Sequence, residues 1–192
     1  RTDTTEFDVR IFDELNIRYS QVLWNHCSNN NIPFLYASSA ATYGSGECSF
    51  DDRLDISPLL PLNPYGQSKQ DFDVWALAQK KKPPFWVGLK FFNVFGPNEY
   101  HKGRMASVVL HAFNQIAQNN SLKLFKSHHS NYPDGGQIRD FIYVKDLVEI
   151  MWFWYKKQNK SGIYNAGTGE ARTFNDLASA IFKALNKESN IN

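Results

Sequence analysis

The sequence predicts an α/β fold in which helices flank an open parallel sheet and a smaller mixed α/β lobe follows. Two short apolar runs without polar alternation, residues 32–37 and 85–92, are typical of strands buried on both faces. A helical pattern separates them, and strand, helix, strand in this order forms a parallel crossover unit. Beyond Pro97 the pattern changes. We therefore expect residues 1–97 to form the sheet domain and residues 98–192 the lobe.

The sheet domain is expected to open with a helix. Apolar residues recur at helical spacing from Phe12 to Cys27, after a threonine-rich segment at residues 2–5 that can cap the helix. Three asparagines at 29–31 end it. In order, the remaining elements are a strand at 32–37, a polar loop, a helix at 65–82 ended by Pro83 and Pro84, and a strand at 85–92.

The lobe is expected to mix helices with short strands. Its predicted elements are a helix at 105–118, a strand at 122–125, a polar loop at 126–137, a helix at 144–157, a strand at 162–166 and a helix at 174–185. Residues 139–160 are expected to pack back on the sheet domain.

Composition argues against several classes of function. The 21 Lys and Arg nearly balance the 19 Asp and Glu, so neither nucleic acid nor a membrane surface is an expected partner. No apolar run reaches the ~18 residues that span a bilayer. The two cysteines, Cys27 and Cys48, have no metal-ligand spacing, so we expect no metal site and a reducing, cytoplasmic location. The chain begins at Arg1 in mid-pattern, and we expect it to be a fragment.

Tyr65 and Lys69 are the strongest candidates for chemistry. Their i, i+4 spacing places both on one face of the predicted helix. A nearby cation favours phenolate, so we expect Lys69 to lower the pKa of Tyr65 and make it an acid/base. Ser39, at the end of the neighbouring strand, can hold the same substrate oxygen. Ligands bind at this carboxyl edge of parallel sheets.

Five motifs together resemble the extended short-chain dehydrogenase/reductase family of nucleotide-sugar enzymes. They are Ser38-Ser39 through Tyr43-Gly44, Tyr65-x-x-x-Lys69, residues 92–97 (Phe-Asn-Val-Phe-Gly-Pro), residues 139–146 and residues 164–169. The resemblance implies a Rossmann-type sheet, of which this chain carries part, a bound nicotinamide dinucleotide, and hydride transfer at a sugar carbon. It assigns Ser39, Tyr65 and Lys69 as the catalytic triad. The family's Gly-x-x-Gly-x-x-Gly turn does not occur in the chain.

Within this family, residues 34–44 and 101–107 resemble the branch of ADP-glycero-manno-heptose 6-epimerases. That resemblance implies an ADP-heptose substrate, an NADP cofactor, a role in lipopolysaccharide core precursor synthesis, and a homo-oligomer built on helices of the sheet domain. C6 is exocyclic, so the aldehyde formed by oxidation can rotate and its oxygen then lies elsewhere. One Tyr cannot reach both positions, because proton transfer needs ~3 Å approach. The resemblance assigns the second acid/base to Lys102, with burial or a cationic neighbour such as Arg104 or Lys69 lowering its pKa.

The resemblance also assigns binding residues. On the cofactor side they are Asn16, Lys69, Val94 and Lys102; on the substrate side they are Asn93, Arg104, His111, Phe125, Lys126, Ser127, His128 and Arg139. Some have plainer interpretations: Asn16 as a solvated helix residue, His111 as an ordinary helix histidine, and Arg139 as a partner of Asp140 or Asp146. Arg104 stands where many members have Ser.

Three other interpretations compete with this one. A 4,6-dehydratase needs an Asp-Glu pair after the triad hydroxyl, and Ala40 and Ala41 stand there instead. A UDP-hexose 4-epimerase keeps the triad but has no need of Lys102, and it is the principal alternative. A non-catalytic protein on this fold would have no need of Tyr65 and Lys69, and both are present.

Overall fold

A computed structural model describes residues 2–124, 126–127 and 132–192. These residues form two compact units. The first contains the described residues up to Phe92 together with Val148–Ala166, and the second contains Asn93–Leu147 and Gly167–Asn192. In chain order, the regular elements of the described part are α1 (Val9–Phe12), α2 (Tyr19–Asn30), β1 (Phe34–Ser39), α3 (Pro64–Ala78), β2 (Trp86–Phe91), β3 (Asn93–Phe95), α4 (Val108–Asn119), β4 (Ile138–Tyr143), α5 (Val144–Lys157), β5 (Gly162–Ala166), β6 (Ala171–Thr173) and α6 (Phe174–Ala184).

The first unit is built on a three-stranded parallel sheet with the order β1-β2-β5. Phe34 pairs with Trp86, and Val87 pairs with Gly162, so all three strands run in the same direction. The α/β fold and its parallel crossover are therefore confirmed. The polar segments that follow the strands at 32–37 and 85–92 therefore begin at the same carboxyl edge of the sheet, because β1 ends at Ser39 opposite Phe91.

The first helix differs from its prediction at its start and in its middle. Asp8, rather than a threonine of residues 2–5, is the N-cap and accepts a hydrogen bond from the Arg10 N–H. A π-helical turn, Asp13–Arg18, separates α1 from α2. Asn31 ends α2 in the left-handed conformation, with φ of 56°, which asparagine tolerates better than most residues.

Helix α3 begins where Asn63 caps it and ends four residues earlier than expected. The Asn63 side chain accepts a 2.8 Å hydrogen bond from Gly66 N, and Pro64 occupies the first turn. After Ala78 the backbone turns extended at Gln79. The side chains of Gln79 and Lys82 then donate to the carbonyls of Trp75 and Leu77, so these terminal carbonyls are satisfied without the four further residues.

Aromatic packing forms the core of the first unit. Trp24 of α2 is fully buried and meets Phe72 of α3 and Trp86 of β2 edge-on, at ring distances of 6.4 and 5.1 Å. Such edge-to-face pairs are favourable beyond the apolar area that they bury. This core fixes α3 against β1 and β2.

The second unit contains a sheet of order β3-β4-β6, with β4 parallel to β3 and antiparallel to β6. Helices α4 and α6 pack together through Ala112, Ile116, Ala178 and Phe182. Of the strand expected at 122–125, the described residues 122–124 form an isolated parallel bridge, in which Leu122 pairs with Ile191 and backbone bonds join Leu122 and Leu124 to residues 190 and 192. The side chains of Leu122 and Leu124 pack against α4 and α6.

In the described part of the chain, no helix combines the length and hydropathy needed to cross a bilayer. The same residues contain no group of three His, Cys, Asp or Glu side chains arranged to hold a metal ion.

Candidate active site

Ser39 and Tyr65 meet at the carboxyl end of β1. Ser39 is the last residue of the strand, and its hydroxyl accepts a 3.1 Å hydrogen bond from Ala41 N at the start of a 3-10 turn, Ala40–Tyr43. Tyr65 lies in the first turn of α3, and its phenol is close enough to the Ser39 hydroxyl for that hydroxyl to lower its pKa. Each residue is 8% exposed. Two buried hydroxyl groups therefore lie near each other at the carboxyl end of β1.

The pKa of Tyr65 is shifted in the direction opposite to the sequence expectation. Burial raises the pKa of the phenol above its ordinary value, and the nearby Ser39 hydroxyl offsets only part of that rise. The expectation of a pKa lowered by Lys69 is therefore wrong for the protein without ligand. Burial disfavours the phenolate, and the phenol holds its proton at neutral pH.

Lys69 lies one helical turn beyond Tyr65. Its ammonium donates a 2.9 Å hydrogen bond to the carbonyl of Ala37 in β1. Burial lowers the pKa of Lys69, and the carboxylate of Asp73 opposes that change. The contact with Ala37 uses one of three N–H bonds, so the ammonium retains donor capacity at the strand end.

Asn16 lies in the π-helical turn and is buried, so its interpretation as a solvated helix residue is wrong. Its amide donates a 2.9 Å hydrogen bond to Ser68 Oγ, and Ser68 donates a 2.7 Å bond to the carbonyl of Tyr65. The contact shown is with α3, the helix that carries Tyr65 and Lys69. Its assignment to a cofactor stays a prediction.

Sequence reasoning missed a buried ion pair in the first unit. Lys90 Nζ of β2 lies 2.8 Å from Asp73 Oδ2 of α3, and neither side chain is exposed to solvent. The signal was a lysine inside an otherwise apolar strand, because a buried ammonium requires a partner. A second signal was the third member of the spacing Tyr65, Lys69, Asp73, which places all three on one face of α3.

Tyr43 and Gly44 close the 3-10 turn after Ser39. The Tyr43 hydroxyl donates a 2.8 Å hydrogen bond to Asn165 Oδ1 of β5, and burial together with Asp52 raises its pKa, so it stays a donor. Gly44 has a φ of 58°, and a Cβ there would lie 1.9 Å from the carbonyl oxygen of Leu60. Any other residue would displace this turn.

Lys102 belongs to the second unit, in a 3-10 turn, Tyr100–Met105, that Glu99 organises. Buried Glu99 accepts hydrogen bonds from Gly96 N (3.1 Å) and from the amide and hydroxyl of Ser107 (2.7 and 2.8 Å). Burial would raise the pKa of Glu99, but these bonds and the nearby Lys102 hold it below its ordinary value. Lys102 Nζ lies 3.8 Å from Glu99 Oε2 with its side chain 46% exposed. The expectation that burial surrounds Lys102 is therefore wrong, and the charged neighbour found is an anion.

The other candidates of the second unit lie on several elements. Arg104, His111 and Asn93 are exposed, and Val94 is half-buried on β3. Exposed Arg139 of β4 donates to the carbonyl of Ile138 (2.7 Å), while the Asp140 carboxylate accepts from Thr168 and Gly169. Lys126 is exposed, and Ser127 N donates to Asp134. The calculated structure describes neither Phe125 nor His128, so their assignments lie outside the described residues.

The chain is similar to known proteins in both sequence and fold. Residues 5–167 match the model of the NAD dependent epimerase/dehydratase family. An ADP-L-glycero-D-manno-heptose-6-epimerase of Fusobacterium nucleatum is 53% identical over 193 residues, which cover 98% of this chain and 58% of that protein. The crystal structure of the Helicobacter pylori ADP-L-glycero-D-manno-heptose-6-epimerase matches with a TM-score of 0.83 and 29% identity, over 99% of this chain and 58% of that one. A Thermus thermophilus UDP-glucose 4-epimerase in complex with NAD matches with a TM-score of 0.71 and 26% identity, over 94% and 57%. The chain thus spans a little over half the length of these relatives.

Proposed function

Because the chain belongs to the NAD dependent epimerase/dehydratase family, we propose that it carries the catalytic triad and part of the sugar-binding lobe of an ADP-glycero-manno-heptose 6-epimerase. The observation that carries this proposal is the placement of the buried Ser39 and Tyr65 at the end of β1, with Lys69 one turn along the same helix and bonded to the carbonyl of Ala37. In this proposal the first unit, which includes Val148–Ala166 as well as the residues up to Phe92, supplies the catalytic part of the cofactor domain, and the second unit supplies part of the substrate lobe. The 53% identity to a curated relative of that name supports the choice of substrate.

The residues of the first unit fit one side of a nicotinamide nucleotide. Lys69 has donor capacity beyond its bond to Ala37, which suits ribose hydroxyls, and the Ser39 and Tyr65 hydroxyls suit the reacting sugar oxygen. The cofactor, when bound, accepts a hydride from the sugar carbon and returns it. No Gly-x-x-Gly-x-x-Gly turn occurs in the 192 residues, so the pyrophosphate is not assigned to this chain.

Tyr65 exchanges a proton with the C6 oxygen. During oxidation the phenolate form removes the hydroxyl proton as the hydride leaves C6, and during reduction the phenol returns a proton to the aldehyde oxygen. Its raised pKa suits the second step directly. In the first step Ser39 holds the oxygen in place, and its hydroxyl lowers the Tyr65 pKa from the value that burial alone would give. With substrate bound, the Lys69 ammonium one turn away adds to this stabilisation of the phenolate in the proposed mechanism. One hydride and one proton leave the sugar and one of each re-enters it. Where Lys102 supplies the returning proton, exchange with water restores the starting protonation of Tyr65 and Lys102.

Lys102 is the proposed second acid/base. Rotation about C5–C6 moves the aldehyde oxygen away from Tyr65, so reduction of the opposite face needs another proton donor. Lys102 carries its charge on a turn fixed by the Glu99 hydrogen bonds, and its side chain is partly open to solvent. An accessible ammonium on a fixed turn suits proton donation to a substrate group.

NADP is the proposed form of the cofactor, in line with the resemblance to the heptose epimerase branch. NADP and NAD differ by a phosphate on the adenosine ribose, which an acidic residue of the NAD site excludes. Kd values for NADP and NAD, measured by quenching of protein fluorescence on the complete gene product, test this: tighter binding of NAD would contradict it.

We also propose a homo-oligomeric, cytoplasmic protein. Four apolar residues of α2 and α3 are exposed in the first unit and would be covered by a second copy: Tyr19, Val22, Val74 and Leu77, at 59%, 64%, 37% and 43% exposure. Both cysteines are free thiols, which favours a reducing compartment. Light scattering of the complete gene product tests the assembly, since a monomer at micromolar concentration would contradict it.

The reaction is tested with the complete gene product and ADP-D-glycero-D-manno-heptose in deuterated water, with NMR of C6. Inversion at C6 without solvent deuterium on carbon is expected, because the hydride stays on the bound cofactor. Tyr65→Phe should lower kcat about 10²- to 10⁴-fold, as loss of a positioned acid/base does. Lys102→Met should abolish inversion, whereas Lys183→Met, an exposed lysine of α6, should not.

Two results would overturn this proposal. Inversion at C4 of a UDP-hexose, with none at C6 of the heptose, would establish the 4-epimerase alternative, which the likeness to the Thermus thermophilus structure favours. Unchanged inversion by Lys102→Met would remove the second acid/base from the mechanism while leaving Tyr65 in it.

A further inference from the structure

We propose that Asp73 and Lys90 are positioning residues for the reaction, and that their buried ion pair holds Ser39 in place against Tyr65. The inference rests on the proposed function, because it takes Ser39 and Tyr65 as the catalytic hydroxyls. It concerns two residues that touch no substrate atom and act through the strand end and the 3-10 turn.

A continuous chain of contacts leads from Asp73 to Ser39. Lys90 Nζ lies 2.8 Å from Asp73 Oδ2 and donates a 2.6 Å hydrogen bond to Thr42 Oγ1. The Thr42 hydroxyl in turn donates a 2.9 Å bond to the carbonyl oxygen of Ser39. Because Lys90 can only donate, the proton order along this chain is fixed, and Thr42 must direct its own proton to Ser39.

A second set of contacts ties Asp73 to β1. Ser38 donates a 2.6 Å hydrogen bond to Asp73 Oδ2, and the Tyr36 hydroxyl donates a 2.9 Å bond to Oδ1. Burial and Asp73 raise the pKa of Tyr36, which keeps it a donor. The residue before Ser39 and the turn after it are therefore both held by one carboxylate and one ammonium. The Lys90 charge also lies over the ring of Tyr43, 5.2 Å from its centroid.

Burying the Asp73–Lys90 ion pair costs free energy, because both charges lose their hydration. Asp73, Lys90 and Thr42 have no exposed surface, and a well-packed apolar set often replaces a buried ion pair without loss of stability. What an apolar set cannot supply is the directed bond to the Ser39 carbonyl. Asp73 also lies one turn beyond Lys69 on the same face of α3 and favours its charged form. The titratable groups of this interior are Tyr36 and Tyr43, Lys90 of β2, and Tyr65, Lys69 and Asp73 of α3.

The test compares Asp73→Asn, Lys90→Met and the double variant in the complete gene product. Each single variant leaves one buried group unpaired and should lower Tm. The double variant leaves no buried charge without a counter-charge and should recover Tm to within ~4 °C of wild type. Its kcat should nevertheless stay ~10- to 100-fold low with KM within about 2-fold, because misplaced catalytic groups slow the chemical step. Asp71→Asn, which removes an exposed carboxylate from the outer face of α3, should change neither quantity.

Recovery of both Tm and kcat in the double variant would overturn the proposal, because the pair would then be structural only. If the double variant does not recover Tm, the kcat values of two Thr42 variants provide the test. Thr42→Val removes the bond to the Ser39 carbonyl together with the Lys90–Thr42 bond and leaves the Asp73–Lys90 pair in place, and Thr42→Ser keeps both bonds. A low kcat for Val with a nearly wild-type kcat for Ser supports the proposal, and a wild-type kcat for Val overturns it.

A measurement without substrate separates this inference from the proposed function. NMR of 13Cε-lysine, with Lys69→Met to assign the signal, follows the proton of Lys69. Loss of the Asp73 carboxylate should move the Lys69 titration to lower pH in both Asp73 variants, since a charge that favours the ammonium is gone. Wild-type protein that does not invert the heptose would refute the proposed function alone. An unmoved Lys69 titration would refute the coupling of Asp73 to the site.

Discussion

Two buried carboxylates organise the two units of the chain in different ways. Asp73 of the first unit is bonded by Tyr36, Ser38 and Lys90, which lie 37, 35 and 17 residues away in sequence. Glu99 of the second unit is bonded within its own turn, by residues three and eight positions away. The first cluster joins a helix to two strands, and the second shapes one loop. Long-range contacts therefore hold Tyr65, and local contacts hold Lys102.

Tyr65 and Lys102 differ in how firmly their side chains are held. Tyr65 is almost fully buried against a sheet, so its position changes only if the core of the first unit changes. Lys102 extends from an exposed turn whose backbone is fixed but whose side chain has freedom. The proposed reaction would need one proton donor that stays in place and another that can adjust to the rotated aldehyde.

The largest effect is expected from breaking the long-range cluster at its cation. Lys90→Met leaves the Asp73 carboxylate buried with no cation, which costs ~3–5 kcal/mol of unfolding free energy. Urea unfolding of the complete gene product measures this. Lys81→Met, which removes an exposed lysine of the same unit, is the matched control. A loss below ~1 kcal/mol for Lys90→Met would show that water reaches Asp73.

Features formed by residues close together in the sequence were predictable, and contacts between residues far apart in the sequence were not. The parallel crossover of β1 and β2 was predicted correctly, because apolar runs and the helix between them are local features. The Asp73–Lys90 pair was missed, since no local pattern states which acid meets a lysine 17 residues away. The β4–β6 pairing was missed for the same reason: Arg139 pairs with Arg172, which lies 33 positions away.

The positions of the site residues on their elements were easier to predict from the sequence than their burial and their charged neighbours. The spacing of Tyr65 and Lys69 predicts one helix face, and both lie on α3. The direction of the Tyr65 pKa was wrong, because the phenol's burial depends on the whole core around it. Lys102 was expected in a buried or cationic setting, and the nearest charge is Glu99, which the sequence places only three residues before it.

A smaller effect is expected from the local cluster. Glu99→Gln replaces one acceptor oxygen with a donor beside Ser107 and should cost ~1–3 kcal/mol of unfolding free energy. The pKa of Glu99 is lowered in the folded protein, so its contribution is complete above the pKa of the unfolded chain, ~4.3, and is lost as pH falls through the folded value. Urea unfolding at pH 7 and at pH 3.5 should therefore show a wild-type advantage that shrinks in acid. An advantage that grows in acid would contradict this assignment.

The smallest effect is expected where an ion pair is exposed, although its geometry is the better one. Arg53 Nη2 lies 2.6 Å from Asp51 Oδ2, closer than the 2.8 Å of Lys90 and Asp73, and its Nε bonds Asp51 Oδ1 as well. The Arg53 side chain is 84% exposed, so water screens the pair and competes for its hydrogen bonds. Arg53→Met should leave Tm unchanged within error. By NMR, the pKa of Asp51, lowered to about 2 by Arg53, should rise only part of the way to its ordinary value, because the backbone N–H of residue 53 still donates to it. A Tm loss as large as that of Lys90→Met would mean that ion-pair distance, rather than burial, separates strong clusters from weak ones in this protein.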